Sequence, residues 1–280
     1  MSITFDNADH SAAPARPPAW RPASAARDIA RGAALWRTWL ALGWHDVRQR
    51  YKRSVLGPLW ITLSMGITVA ALGLLYARLF AQPIDAYLPF VALGFIVWAL
   101  VSGVLLDACA VFVAAEGYIR QIALPLSFYV YRMVWRHFIV FAHNLLIFVV
   151  VAFVLPVQIN GATLLVLPAL LLLAANALWV GLMVGMVCTR YRDVPQIVTS
   201  VVQVAFFLTP IVWQPGQLVR ESWVVDINPF FHLVELVRAP LLGAAPSAMN
   251  WSVAALMAVA GSACTFLLFA RYRYRIVYWV

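Results

Sequence analysis

Six apolar runs, each near the length needed to cross a bilayer, constrain this chain more than any other feature of its sequence. A helix needs about 20 residues to span a hydrocarbon core of ~30 Å. The runs cover approximately residues 59–80, 87–113, 136–156, 163–188, 196–213 and 251–270. Hydrophobic residues make up 64% of the chain and charged residues 11%, whereas a soluble domain is roughly 25% charged. One core cannot bury that apolar surplus, so the sequence predicts an all-α, polytopic membrane protein with six transmembrane helices over residues 57–280.

The cations predict how the chain is threaded, because lysine and arginine beside a spanning segment stay in the cytoplasm. With a cytoplasmic N-terminus, only Arg78, Arg220 and Arg238 of the 20 lysines and arginines fall outside. Both termini are therefore expected in the cytoplasm. This asymmetry explains the net charge of +9 and gives no reason to expect a nucleic-acid partner.

The residues before the first span divide into two parts. Residues 1–30 are polar and rich in proline, with no apolar core of signal-peptide length, and are expected to form a disordered cytoplasmic tail. Residues 31–56 are expected to form an interfacial amphipathic helix, because Trp36, Trp39 and Trp44 recur at helical spacing between basic flanks. The alternative is an amphipathic helix that packs on another element of protein.

Two connections between the predicted spans differ from simple loops. Residues 114–127 form a short, partly apolar cytoplasmic connection, which is typical of a helix that docks on a partner. Residues 214–250 lie outside and contain an apolar stretch too short to cross the bilayer twice. Re-entrant or interfacial helices are expected there, starting near Asn228 and Pro229, because non-helical backbone at membrane depth must be buried in protein or line a wet cavity. A folded loop resting on the membrane is the alternative.

The sequence holds no motif for chemistry of its own. It contains no GxxxxGK[ST] phosphate loop, no HExxH, no GxSxG and no CxxC pair. No catalytic residue, metal site or cofactor is therefore predicted. Asp107, toward the cytoplasmic end of the second span, is a functional candidate by its depth, although a structural role is favoured. Almost no other carboxylate lies within a span, which disfavours ion coupling and indicates a passive pore or a permease driven by a separate motor.

Three blocks of sequence resemble those of ABC-2-type polysaccharide export permeases. The first runs from Asp46 to Trp60 and includes Arg50-Tyr51-Lys52-Arg53-Ser54-Val55-Leu56-Gly57-Pro58. The second is Arg190-Tyr191-Arg192-Asp193-Val194-Pro195-Gln196-Ile197, followed by Phe206 to Ile211. The third is Asn228 to Leu233 with Val237 to Gly243. The blocks stand in the expected order, and the likeness is greatest to O-antigen export permeases, whereas capsule and teichoic-acid permeases share the first two.

This resemblance implies a homodimer in the bacterial inner membrane, joined to two copies of an ABC ATPase. Such transporters move a polyprenyl-diphosphate-linked glycan, here O-antigen for lipopolysaccharide biosynthesis, from the cytoplasmic to the periplasmic face. ATP and magnesium would bind to the ATPase, and no cofactor to this chain. The rival interpretations are an ABC-2 exporter of a small molecule, a membrane-embedded enzyme of lipid or glycan synthesis, and a passive channel.

The resemblance also implies roles for particular residues. The expected ATPase contacts are Trp39, Asp46, Glu116, Gly117, Tyr118, Ile119 and Arg120. The cations expected to meet the arriving lipid diphosphate are Arg48, Arg50, Lys52 and Arg53. The aromatic residues expected to line the glycan pathway are Phe206, Phe207 and Trp213. For the cations the alternative is retention of the loop in the cytoplasm, and for the aromatics anchoring at the membrane interface.

Overall fold

The computed structural model describes residues 20–50, 52, 54, 56–57, 59–217 and 222–280 of the chain. The first 19 residues of the predicted tail, and Arg53 of the predicted diphosphate contacts, lie outside these ranges. The described residues form α-helices joined by short turns, which confirms the all-α prediction. In chain order, these helices are α1 (Pro22–Ala34), α2 (Trp36–Arg50), α3 (Leu59–Leu79), α4 (Ile84–Ala108), α5 (Glu116–Gln121), α6 (Leu126–Val154), α7 (Val166–Arg190), α8 (Val194–Leu208), α9 (Ser222–Ile227), α10 (Pro229–Leu241) and α11 (Ala248–Trp279).

Five helices of the described residues are long and apolar enough to cross a bilayer, namely α3, α4, α6, α7 and α11. They correspond to five of the six predicted spans. The remaining one, 196–213, corresponds to α8, which has 15 residues and rises only ~22 Å. The helix ends at Leu208 because Pro210 disfavours helical backbone at Thr209. A crossing at this place therefore stays a prediction.

The N-terminal region is more ordered than the sequence indicated. Helix α1 begins at Pro22, so the expectation of disorder is wrong for residues 22–30. Proline is favourable in the first turn of a helix, where its missing N–H would have had no partner. Ala25 and Asp28 on one face of α1 are buried against the rest of the chain. The predicted single helix over 31–56 is also divided, since α1 ends at Ala34 and α2 at Arg50.

Helix α2 packs along α6. Gly43 fits against Trp135, where an added Cβ would lie 2.7 Å from the indole ring. Trp39 stacks on Tyr131, with ring centroids 5.8 Å apart. Helix α2 therefore packs on protein through these residues, while Trp36 and Trp44 are each 49% exposed, as an interfacial helix requires.

Helix α4 forms the centre of the bundle. Every residue from Val91 to Trp98 is buried, which requires neighbours on all sides of the helix. Its neighbours are α3, α6, α7, α8 and α10. Helix α3, in contrast, packs through one narrow face that includes Val69 and Ala77, and it exposes Ile67 and Leu75.

The segment between α8 and α11 folds back onto the bundle. Helix α10 begins at Pro229, where the Asn228 side chain caps it by accepting from the backbone N–H groups of Phe230 and Phe231. From His232 to Leu241 nearly all of α10 is buried. The helix start expected from Asn228 and Pro229 is confirmed, while the re-entrant placement of this segment stays a prediction.

Candidate functional site: a docking surface and two polar clusters

Helix α5 projects from the bundle between α4 and α6 and presents an open surface. A Cβ added at Gly117 would meet nothing within 4 Å, and Tyr118 is 58% exposed. Arg120 pairs with Glu116 at 2.8 Å and donates to the backbone carbonyl of Val280 at the end of α11. The helix is thus held in place from behind while its outer face is available to a partner.

The other two predicted ATPase contacts turn inward instead. Trp39 lies in the α2–α6 interface against Tyr131 and Trp135. Asp46 accepts two hydrogen bonds from the guanidinium of Arg132, and the Nε–Oδ2 distance is 2.7 Å. The structure therefore separates the predicted contact set into a part on α5, exposed except for the half-buried Glu116 and Ile119, and a half-buried part that joins α2 to α6.

Asp46 belongs to a cluster of charges that joins three helices. Arg136, one turn after Arg132 on α6, donates from Nη2 to Oδ2 of Asp107 at 2.6 Å and also lies 3.8 Å from Asp46. The ring of His137 lies 2.9 Å from the same Asp107 oxygen. We call Asp46, Asp107, Arg132, Arg136 and His137 the charge bracket. The bracket ties α2 to the last turn of α4 through α6.

A cavity of about 540 Å³, lined by both charged and apolar residues, opens beside the charge bracket. It is bounded by α2, α5 and the facing ends of α4 and α6, with Gln49, Arg50 and Tyr118 on its rim. Tyr129 also lines the cavity, and its buried hydroxyl has no hydrogen-bond partner in the described part of the chain. The cavity links the exposed face of α5 to the bracket that holds α2 and α4.

The cations predicted to meet a lipid diphosphate are only partly brought together. Arg50 lines the cavity, while Arg48 and Lys52 are exposed. Of the three described members of this set, Arg50 shares a cavity with the charge bracket.

The three aromatic residues predicted to line a pathway do not share a surface. Phe206 packs inward on Phe95 and Trp98, with ring centroids 5.8 Å away in both pairs. Phe207 points outward and is 74% exposed. Trp213 is half-buried and donates its indole N–H to the carbonyl of Phe207 at 3.0 Å. Only Phe207 is placed to meet a molecule that passes along α8.

At the other end of α4, side chains satisfy the carbonyls left open where α8 stops. Asn228 donates to the carbonyl of Leu208 at 3.2 Å and to the Thr209 hydroxyl at 3.0 Å. Arg238 donates to the carbonyl of Pro210 at 2.6 Å, and the Tyr87 hydroxyl donates to that of Val212. We call Tyr87, Asn228 and Arg238 the carbonyl clamp. The clamp lets irregular backbone remain within an apolar environment, where unsatisfied carbonyls would cost several kcal/mol.

Sequence reasoning did not identify the partners of these clusters, nor a third junction at Asp28. Asp28 is buried and accepts from the backbone N–H groups of Leu126 and Ser127, which caps α6. It also accepts from Nε of Arg273 on α11 at 2.7 Å. The available signal was an acidic residue in a segment otherwise rich in arginine, but that segment was assigned to the predicted disordered tail.

The family model of the ABC-2 type transporter matches residues 37–242, well over half of the chain. The chain belongs to the ABC-2 type transporter family. The match covers α5, the charge bracket and the carbonyl clamp. Among curated proteins, none matches the chain. As a multi-pass membrane component of an ABC-2 transporter, the chain is a permease subunit, and membership of the family implies association with an ABC ATPase.

Proposed function

We propose that the chain is the permease of an ATP-driven exporter that carries a lipid-linked polysaccharide across the bacterial inner membrane, in its closest likeness polyprenyl-diphosphate-linked O-antigen. Two copies of the chain would join two copies of the ATPase, with both termini in the cytoplasm. The observation that carries the proposal is the exposed helix α5, fixed at its back and adjacent to a charge bracket that reaches the central helix α4.

The geometry supports a route by which movement of a motor would reach the spans. Helix α5 follows α4 after the seven residues 109–115, the last three of which form a 3-10 turn, so a push on α5 acts on the end of the central helix. Asp107 in the last turn of α4 is bonded to Arg136 of α6, and Arg132 of α6 is bonded to Asp46 of α2. Closure of the ATPase dimer would therefore displace α2, α4 and α6 together.

The exposed face of α8 supports a polar cargo. Gln196, Ser200 and Gln203 recur at helical spacing on this face, and Phe207 follows one turn later. A helix face in contact with lipid alone would be apolar, because lipid offers no partner to an amide or a hydroxyl. This stripe would line a wet path between two copies of the chain, with Phe207 offering its ring to sugar C–H groups.

The position of Arg50 supports an anionic anchor on the cargo. The cavity between α2 and α5 is lined by Arg50, Tyr118 and Tyr129. A guanidinium suits the oxygens of a diphosphate, because it donates paired hydrogen bonds. Arg48 and Lys52, exposed nearby in the sequence, would raise the local concentration of an anionic lipid before it binds.

The experiment that tests the proposal is deletion of the chain, followed by staining of surface glycan and of lipid-linked glycan inside the cell. We expect surface polymer to disappear and the lipid-linked precursor to accumulate, with both restored by the unmodified chain. Normal surface polymer in the deletion strain would overturn the polysaccharide assignment and favour a small-molecule exporter. Co-purification of the tagged chain with an ATPase tests the motor separately.

Complementation with variants of α8 sharpens this experiment. A chain carrying Ser200→Leu and Gln203→Leu should restore export poorly, by about tenfold if the stripe contributes ~1.4 kcal/mol to the rate-limiting step. The matched control, Val201→Leu with Val204→Leu, changes adjacent exposed positions on the same helix and should export normally. Equal export by the two variants would remove the stripe from the pathway.

A further inference from the structure

A groove of about 320 Å³ lies between α7 and α11, away from both polar clusters. It lies at the α5 end of the bundle, because the last turns of α11 contact α1 through Arg273 and Asp28 and contact α5 through Arg120. The floor of the groove is apolar and is formed by Met186, Val187 and Leu268. Its rim is basic and aromatic, with Arg190, Arg275, Tyr191, Tyr272 and Trp279.

The lengths of the two helices place this rim at the membrane surface. Arg190 lies ~36 Å along α7 from Val166, and Arg275 lies ~41 Å along α11 from Ala248, at 1.5 Å per residue. Both distances exceed the ~30 Å hydrocarbon core. Leu268 lies ~10 Å deeper along α11 than Arg275. The groove therefore has charge at headgroup level and apolar surface at the level of the acyl chains.

The arginines of the rim differ from most of those that pack between helices. Five arginines pair with a carboxylate, namely Arg120, Arg132, Arg136, Arg238 and Arg273. Within the described residues, no carboxylate pairs with Arg190 or Arg275. The charge of the rim is therefore not compensated by a carboxylate of the part of the chain that the structure describes.

Aromatic rings hold these arginines in place without using all of their donors. Arg190 lies over the rings of Tyr191 and Trp279, at 5.3 and 5.8 Å from their centroids. Arg275 lies 5.8 Å from the ring centroid of Tyr272 and donates from Nε to the Tyr274 hydroxyl at 3.0 Å. A guanidinium held this way keeps N–H groups available for the paired hydrogen bonds that phosphate oxygens accept.

We propose that this groove binds an anionic phospholipid of the adjoining leaflet. Arg190 and Arg275 hold the phosphate, and an acyl chain lies along Met186, Val187 and Leu268. Tyr272 and Trp279 lie at headgroup level, where such rings are favoured at membrane interfaces. Basic pockets between spanning helices are a recurrent form of headgroup site. The site is independent of the cargo that the transporter moves.

The test compares lipid retention by the purified full-length chain, measured by native mass spectrometry. The unmodified chain should keep phosphatidylglycerol over phosphatidylcholine with the same acyl chains, and phosphatidylglycerol should raise its melting temperature. The double variant Arg190→Gln with Arg275→Gln should lose at least about tenfold in retention, or ~1.4 kcal/mol. The control, Arg27→Gln with Arg31→Gln, removes the same charge from the exposed face of α1 and should keep the lipid.

Three results would overturn the proposal. Equal loss in the two double variants would mean that the arginines act through net charge, and equal retention of the two lipids by the unmodified chain would mean that no headgroup is selected. If inorganic phosphate alone reproduced the thermal shift, the occupant would be a free anion. The variant Arg190→Lys with Arg275→Lys keeps the charge and guards against misfolding, and it should retain an intermediate amount of lipid because lysine lacks the paired donors.

Discussion

The charge bracket and the carbonyl clamp lie at opposite ends of the central helix α4, and they are built on different principles. The bracket consists of ion pairs between side chains beside a cavity, and Asp107 and Arg136 keep 38% and 25% of their side-chain surface exposed. The clamp contains Arg238, which is 1% exposed and donates to a backbone carbonyl. One cluster can exchange its partners for water, and the other cannot.

This difference separates a part of the molecule that can move from a part that cannot. Ion pairs near water contribute little, typically below ~1 kcal/mol, because water replaces the lost partner. A buried charge without its partner costs several kcal/mol. In the proposed exporter, movement of the ATPase would displace the helices at the bracket, where ion pairs can break and form again. The clamp would keep the other end of α4 fixed. The predictions below test this comparison, in decreasing order of the expected change in stability.

The largest loss of stability is expected for Arg238→Leu. This change removes the donor to Pro210, leaves Glu235 without its partner at 2.6 Å, and removes the cation 3.9 Å above the ring of Phe90. Breaking a buried pair in this way costs about 3–5 kcal/mol. Thermal unfolding of the purified chain in detergent should show the loss as a large fall in melting temperature.

Two controls define what Arg238 contributes. Arg238→Lys keeps the charge but cannot donate to Glu235 and Pro210 in the same fork geometry, so it should recover only part of the stability. Arg120→Leu removes an exposed arginine with its own ion pair and should change the melting temperature little. If Arg238→Leu and Arg120→Leu had the same melting temperature, Arg238 would contribute no more than an exposed ion pair, and the clamp would not be the rigid part of the molecule.

The fold could be predicted from the sequence as far as local pattern reaches. Apolar run length predicted the five long helices, and Asn228 before Pro229 predicted the start of α10. The length of the apolar run did not predict where the helix within 196–213 ends, because the run stays apolar across Pro210 while the helix stops at Leu208. The prolines near the N-terminus also led to the prediction of a disordered tail, whereas Pro22 begins α1 and does not interrupt it.

The site was less predictable because its bonds join residues distant in sequence. Arg132 and Asp46 are 86 positions apart, and Asp28 and Arg273 are 245 apart. Nothing in either neighbourhood specifies the partner, since pairing depends on how α2, α6 and α11 pack. Arg132 and Arg136 lie one turn apart on α6, and from this spacing acidic partners could have been predicted. A helix in the connection 114–127 was predictable, because its apolar residues lie in a short connection that would otherwise be polar, while its docking role stays a prediction.

A smaller loss of stability is expected at the charge bracket. Asp107→Asn removes a charge and keeps the side-chain shape, and Arg136→Gln removes the guanidinium and leaves a shorter polar side chain, so each should cost ~1 kcal/mol or less. A double-mutant cycle on the melting temperature measures the coupling between the two residues. The variant Arg132→Gln removes the bond between Arg132 of α6 and Asp46 of α2. The backbone amides of α2 should then exchange hydrogen faster.

The matched control for the bracket is Asp85→Asn, which removes an exposed carboxylate near the opposite end of α4. It should leave hydrogen exchange of α2 unchanged. A coupling of 3 kcal/mol or more between Asp107 and Arg136 would contradict this prediction, because the bracket would then behave as a buried pair. The two ends of α4 would in that case resist movement equally.

The smallest change in stability is expected for charge reversal on α5, Glu116→Lys with Arg120→Glu. The exchanged pair keeps opposite charges one helical turn apart, and both side chains are about half exposed, so the ion pair itself should change stability by less than ~0.5 kcal/mol. The bond from Arg120 to the Val280 carbonyl is also lost, and the variant Arg120→Gln, which removes the guanidinium without reversing the charge, measures that loss separately. The outer face of α5 would nevertheless present reversed charges to a partner. In the proposed exporter, glycan export should therefore fall while the chain inserts and folds normally.

Export of glycan and ATP hydrolysis by the purified complex, measured together, test this prediction. Reversal that lowers export per ATP while leaving the melting temperature in place would identify α5 as a transmitting surface, since a structural role alone would change both. Asp85→Lys, which reverses an exposed charge near the other end of α4, should leave that ratio unchanged. Normal export per ATP in the α5 double variant would refute the docking role of α5. Movement of the ATPase would then have to reach the charge bracket through another part of the chain.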